Sequence, residues 1–179
     1  MKKITSYEIA LSAFACTLAT IALIVTLSVD FLVGTGYLLA GIALMLPLAK
    51  RCYAGYALAY VATSVLTLLF CSWRFWDVFP FLIFFGLHPL VNELQLKIKI
   101  NRWVACAIKA LWFDVMLYLS YLFTFAITTD ITATIPNLNA YMVPIILIFG
   151  TLFFVFYDML AYRCRAFVNR TVARFDRKK

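Results

Sequence analysis

The 179-residue chain is 65% hydrophobic and only 13% charged, with a mean hydropathy of +0.96, whereas a soluble domain is roughly half apolar and about a quarter charged. This composition excludes an ordinary water-soluble fold, and at about 20 residues per membrane crossing the length leaves no room for a soluble domain beside a helical bundle. The net charge of +8 does not point to nucleic acid, because the bases stand at the ends of apolar segments instead of forming one patch.

Apolar runs at residues 7–28, 31–49, 52–70, 78–95, 103–127 and 141–162 predict an all-α membrane protein with six transmembrane helices in one bundle. The start Met1-Lys2-Lys3 resembles a signal peptide. The run that follows is longer than an h-region of about 7–15 residues and lacks an A-x-A cleavage site, so it is expected to remain as the first span. Lys and Arg are retained in short cytoplasmic loops. Lys2, Lys3, Lys50, Arg51, Lys97, Lys99, Arg102, Arg163, Arg165 and the bases that follow fall on one side of the predicted topology, and Arg74 alone falls on the other. Both termini are therefore expected in the cytoplasm, with the plasma membrane as the location. Residues 1–163 are expected to form the transmembrane domain and 164–179 a basic cytoplasmic tail.

In the first helix Ser12, Ala15, Cys16, Ala19 and Ala22 recur at spacings that share one face. Small residues let helix backbones approach closely, which drives association in lipid. The stripe is either a docking face for another membrane subunit or internal packing. Cys16, Cys52, Cys71, Cys106 and Cys164 show no C-x-x-C spacing, so neither a disulfide framework nor a metal site is expected.

The outer connector Cys71-Ser72-Trp73-Arg74-Phe75-Trp76-Asp77 carries two tryptophans and both signs of charge. It is either an aromatic belt or a ligand platform. In the second case Trp73 or Trp76 stacks on a ring and Arg74 meets an anionic group, while Asn137, Asn139 and Tyr141 close over it from the connector at 128–140.

The fourth span contains Phe84-Phe85-Gly86-Leu87-His88-Pro89. Pro89 lacks a backbone donor, so a bend is expected near Phe85 and Gly86. Counting along the spans puts His88 and Asp114 near mid-bilayer, where they either relay a proton or satisfy one another. Glu93 and Lys109 stand at matching depth and read as an ion pair or a moving gate, since ionisable groups in spans usually face the bundle interior. Asp158 and Glu8 stand near the cytoplasmic boundary. Beyond Arg163, the bases interleaved with Val168, Val172 and Phe175 predict a helical extension on the membrane surface.

Six spans in under 200 residues, cytoplasmic termini, the Ala15-x-x-x-Ala19 face and the Phe-Phe-Gly-x-x-Pro turn in the fourth helix together resemble the substrate-binding S components of energy-coupling-factor importers. The resemblance implies capture of a small molecule such as a vitamin from outside. It also implies a transmembrane coupling subunit and paired ATPases on separate chains, since no G-x-x-x-x-G-K-[ST] occurs here. The first connector, Val29-Asp30, is shorter than the loop with which S components often cover their substrate. The competing class is a scaffold or assembly subunit, similar in size and helix number to the cell-shape MreD family. No catalytic signature such as H-E-x-x-H or G-x-S-x-G is present, which leaves an enzyme only as an unrecognised intramembrane site. No cofactor is expected.

Overall fold

The computed structural model describes residues 5–71, 74–127 and 138–176. Its first helix, α1 (Ser6–Leu27), begins at a capping box: Thr5 Oγ1 accepts from the Glu8 amide, and Glu8 Oε2 accepts from the Thr5 amide at 2.8 Å. A 3-10 turn, Asp30–Leu32, leads into α2 (Val33–Ala49), and α3 (Tyr53–Phe70) follows. The fourth rod is α4 (Phe75–Pro80), a π-helical turn (Phe81–Phe85) and α5 (His88–Ile98). Next comes α6 (Arg102–Ile127). The last rod is α7 (Leu138–Ile145), a second π-helical turn (Ile146–Gly150) and α8 (Thr151–Asp176). Every element among the described residues is helical.

Five of these rods are long and apolar enough to cross a membrane. The exception, α2, has 17 residues, or about 26 Å at 1.5 Å per residue, which approaches the roughly 30 Å hydrocarbon core. Ile9, Phe14, Ile21 and Val25 on α1, Leu58 and Leu69 on α3, Ile108 and Leu111 on α6, and Leu152 and Phe156 on α8 are all exposed. This is the surface of a bundle that meets lipid while its polar backbone is satisfied inside its helices.

α1 packs against both α2 and α3 through small residues. A Cβ on Gly36 of α2 would fall 1.7 Å from Thr26 Oγ1, and one on Gly55 of α3 would fall 2.3 Å from Ser12 Oγ. Ala15 and Ala19 have no exposed surface, Ser12 is buried, and the Cys16 carbonyl accepts from Thr63 Oγ1 at 3.5 Å. Of the face expected on Ser12, Ala15, Cys16 and Ala19, Ala15 and Ala19 are thus turned into the bundle's own close packing, whereas Ser12 and the half-buried Cys16 also line an open groove of about 410 Å³ between α1 and α3.

The interruption in the fourth rod explains the hydroxyl partners of three tyrosines, two of them buried and Tyr60 half-buried. Pro80 and the π turn shift the local hydrogen bonding: the Phe81 amide bonds to Val78, and the Gly86 amide reaches back to Phe81. The Leu90 amide bonds to Leu87. These shifts take the usual i+4 donors from the carbonyls of Asp77, Leu82 and Gly86. Tyr37 of α2 donates to the Asp77 carbonyl, Tyr60 of α3 to Leu82 at 2.6 Å, and Tyr56 of α3 to Gly86. Gly86 is required at the bend, because a Cβ there would lie 2.6 Å from the Tyr60 ring and 2.9 Å from the Phe81 carbonyl.

The second half of the core surrounds Phe84, whose ring centroid lies 4.8 Å from Trp112, 4.9 Å from Phe113 and 5.2 Å from His88. α8 does not break at residue 163. It continues to Asp176 and buries Val168 and Val172 beside Met45 of α2, while Phe175 stays exposed. The basic segment expected to lie along the membrane surface is instead the coaxial end of α8. The helical rod Val143–Phe175, 33 residues long, exceeds the length needed to cross the hydrocarbon, so its basic end projects beyond it.

Candidate functional site

Three interactions mark one end of the bundle. The Lys50 ammonium lies 5.4 Å from the Tyr7 ring, Lys97 lies 5.4 Å from Tyr53, and the Arg102 guanidinium lies 5.5 Å from Tyr162. They gather the start of α1, the α2–α3 turn, the α5–α6 turn and α8 into a single basic end.

Inward from that end, α5, α6 and α8 bring four polar side chains together. His88 and Asn92 stand four residues apart on α5 and share a face. Lys109 projects from α6 and Asp158 from α8. Lys109 Nζ donates to Asp158 Oδ1 at 2.6 Å and to Asn92 Oδ1 at 2.7 Å, and His88 Nε2 lies 3.1 Å from Asp158 Oδ1. One assignment satisfies the whole set. Asp158 accepts from Lys109 and from the Nε2–H of a neutral His88, whose Nδ1 accepts from Asn92 Nδ2 at 3.5 Å. His88 is fully buried, Asn92 is 2% exposed and Lys109 is 3% exposed. Phe84, Phe154 and Tyr157 pack around the imidazole, and the Tyr162 ring lies 5.2 Å from Lys109 Nζ.

A second pair lies between this cluster and solvent. Arg165, seven residues after Asp158 on α8, holds Glu93 Oε2 through Nη2 at 2.6 Å and Nε at 2.8 Å. Glu93 and Arg165 line an open cavity of about 360 Å³ at the basic end, together with Arg51, Tyr53 and Lys97. On their inner side they line a void of about 10 Å³ shared with Asn92, which matches one water site. Arg51 carries a left-handed backbone, φ 55°, a conformation uncommon outside glycine that turns the chain between α2 and α3. The polar groups thus form a file from the cavity through Glu93–Arg165 and Asn92 to Lys109, Asp158 and His88. Three cationic side chains and one carboxylate line its mouth, an arrangement suited to a small anion.

No family model, curated protein or solved structure matches the chain.

Several expected pairings change. Glu93 and Lys109 do not bond: Glu93 follows Asn92 by one residue, about 100° round the helix, so Asn92 faces Lys109 and Glu93 faces Arg165. His88 and Asp114 are not partners either, since His88 meets Asp158, and Asp114 Oδ2 accepts from Thr151 Oγ1 at 2.8 Å. Asp158, expected near the boundary, stands at the centre of the cluster. Its signal in the sequence was the Asp158, Tyr162, Arg165 spacing, which sets two charges and a tyrosine on one face of α8.

The outer platform is not assembled by the described residues. Arg74 Nε donates to Asp77 Oδ2 at 2.6 Å, Trp76 stacks on Phe123 at 5.3 Å, and Tyr141 is 63% exposed on α7. None of these three lines the cavity at the basic end. Trp73, Asn137 and the side chain of Asn139 lie outside the described residues.

Proposed function

We propose that this chain is a multi-span membrane subunit that binds a small anionic solute within the bundle, through the polar file that opens at its basic end. The carrying observation is the burial of Lys109 between Asp158 and Asn92, one residue from Glu93, which lines a cavity with Arg51, Lys97 and Arg165. Charges inside a membrane are costly and mark solute or ion pathways by default. A buried ion pair is also weak support for stability as such, because apolar residues of the same volume often do as well. In this reading Arg51 and Lys97 attract the anion, Glu93–Arg165 must part to admit it, and Lys109 is the inner cation that Asp158 holds in place.

Retention of Lys and Arg on the cytoplasmic side supports a plasma-membrane orientation with the basic end and both termini in the cytoplasm. For an energy-coupling-factor-like importer this is the release side, where a coupling subunit and separate ATPases would act. The outer capture site implied by that family lacks support from Arg74, Trp76 and Tyr141, so the importer reading rests on the cytoplasmic half.

The test is calorimetric titration of the chain in lipid nanodiscs with inorganic phosphate, pyrophosphate and succinate, and with glycerol as a neutral control. At least one anion is expected to bind saturably. Arg51→Gln with Lys97→Gln should weaken it about tenfold, or 1.4 kcal/mol, and glycerol should give no signal. If no anion binds, the solute reading fails and a scaffold subunit takes its place.

A further inference from the structure

Beyond Tyr162, α8 is packed on one side only. Val168 and Val172 turn toward Met45 of α2, whereas Arg163, Phe167, Arg170 and Arg174 are exposed, Phe167 to 70%. At about 100° per residue these four fall within about 60° of one another, on the side away from the two valines. Among the described residues no carboxylate pairs with Arg163, Arg170 or Arg174. Ala166 and Ala173, also exposed, flank the stripe and leave room for another backbone to come close.

The stripe climbs out of the membrane. Exposed apolar side chains on α8 run through Phe156 and Met159 and give way to Arg163, and the Arg102–Tyr162 contact sets Tyr162 level with the start of α6. The hydrocarbon therefore ends near Tyr162, with a headgroup layer about 5–8 Å thick beyond it. At 1.5 Å per residue, Arg170 stands about 12 Å and Arg174 about 18 Å past Tyr162, and a helix tilt of about 40° shortens the second distance only to about 14 Å. Lipid phosphates meet Arg163 at this depth but do not cover the two arginines that stand in water.

Phe167, Arg170 and Arg174 follow the alternating 3 and 4 spacing of a helix-pairing seam. Val168 and Val172 hold that seam against α2, so it is presented pre-formed. Its arginines call for carboxylates, with which they make bidentate, charge-assisted bonds, and the exposed phenylalanine calls for an apolar contact. A second copy of the chain does not supply these. Inserted in the same sense, its symmetric face would set Arg170 and Arg174 against their own equivalents.

We propose that this face docks an acidic amphipathic helix of a different chain on the aqueous side of the basic end, its carboxylates meeting Arg170 and Arg174 and an apolar side chain meeting Phe167. The site is separate from the polar file and does not depend on the solute reading.

The probe is a synthetic helical peptide with leucine and glutamate alternating along one face at the same spacing, and its control carries glutamine for each glutamate. Fluorescence anisotropy of the labelled peptide reports binding to the full-length chain in phosphatidylcholine nanodiscs. The glutamate peptide is expected to bind saturably and at least about tenfold more tightly than its control. Arg170→Gln with Arg174→Gln should abolish that preference, and Phe167→Ala should weaken both peptides; all three side chains are exposed, so the fold is not at stake. Arg51→Gln with Lys97→Gln, which strips two cations from the solute cavity, should leave the preference intact, and its loss there would assign the peptide to the cavity and overturn the proposal. Equal binding of both peptides to the unaltered chain overturns it as well, as does a preference that survives in the Arg170, Arg174 variant. Displacement of the glutamate peptide by an oligouridylate at lower concentration than by unlabelled peptide would give the stripe to nucleic acid. Loss of peptide binding when phosphatidylglycerol replaces part of the lipid, at physiological salt where fields are screened within about 8 Å, would give it to the bilayer. Either result likewise overturns helix docking.

Discussion

Lys109 and Asp158 are each other's principal electrostatic partner, and their energetics separate a pair from two independent charges. Replacing one leaves the other buried without its counter-ion, a loss of about 3–5 kcal/mol, whereas replacing both with apolar residues removes the burden together. Lys109→Met and Asp158→Leu are therefore expected to destabilise singly and to recover most of the loss in combination. A double-mutant cycle on unfolding of the reconstituted protein measures the coupling, and simple additivity would show that the 2.6 Å contact is energetically idle. The tyrosines of the fourth rod behave differently, because they supply donors to carbonyls rather than charge. Tyr60→Phe leaves the Leu82 carbonyl without its 2.6 Å donor and should cost about 1–3 kcal/mol, read as a lower unfolding temperature with no change in helix content.

At the scale of elements, the interior position of the α1 stripe fixes what a bulky side chain would do there. Ala15→Leu and Ala19→Leu add volume where no exposed surface remains and should destabilise by about 1–3 kcal/mol each, seen as lower thermal stability of the isolated chain. Retained stability with loss of a co-purifying partner would return this face to a docking role. The stripe shows how far the sequence carries. Its spacing defined a face of close approach, but spacing does not say which neighbour approaches, and Gly36 and Gly55 supplied that answer from two other helices. The bend was legible from Gly86 and Pro89, whereas the tyrosines that cap it were not, because their partners lie at least 22 residues away. The exchange of Glu93–Lys109 for Glu93–Arg165 and Lys109–Asp158 has a similar cause. Depth can be counted along a span, but the rotation of one helix against another is set by packing.

For the whole molecule, the apolar belt and six helical rods follow from composition and run length, which a single chain displays fully. Orientation rests on charge placement alone and can be read with introduced thiols. Native Cys71 is an unsuitable reporter despite its place between α3 and α4, because it is 1% exposed and burial pushes its thiol above the ordinary range. Phe31 is 93% exposed in the α1–α2 turn, and Ile98 is 66% exposed at the opposite end of the bundle. In a cysteine-free background, an impermeant maleimide should label Phe31→Cys on intact cells and Ile98→Cys only after permeabilisation; the reverse pattern would invert the orientation.

The central claim is that the buried cluster handles a solute and does not merely join α5, α6 and α8. Titration of the Lys109→Met, Asp158→Leu double variant in nanodiscs, with the anion that the unaltered chain binds, tests it most directly. The account predicts a variant that unfolds within a few degrees of the original yet binds the anion at least about tenfold more weakly. Unchanged anion affinity in the folded double variant would contradict it and leave the cluster a structural pin.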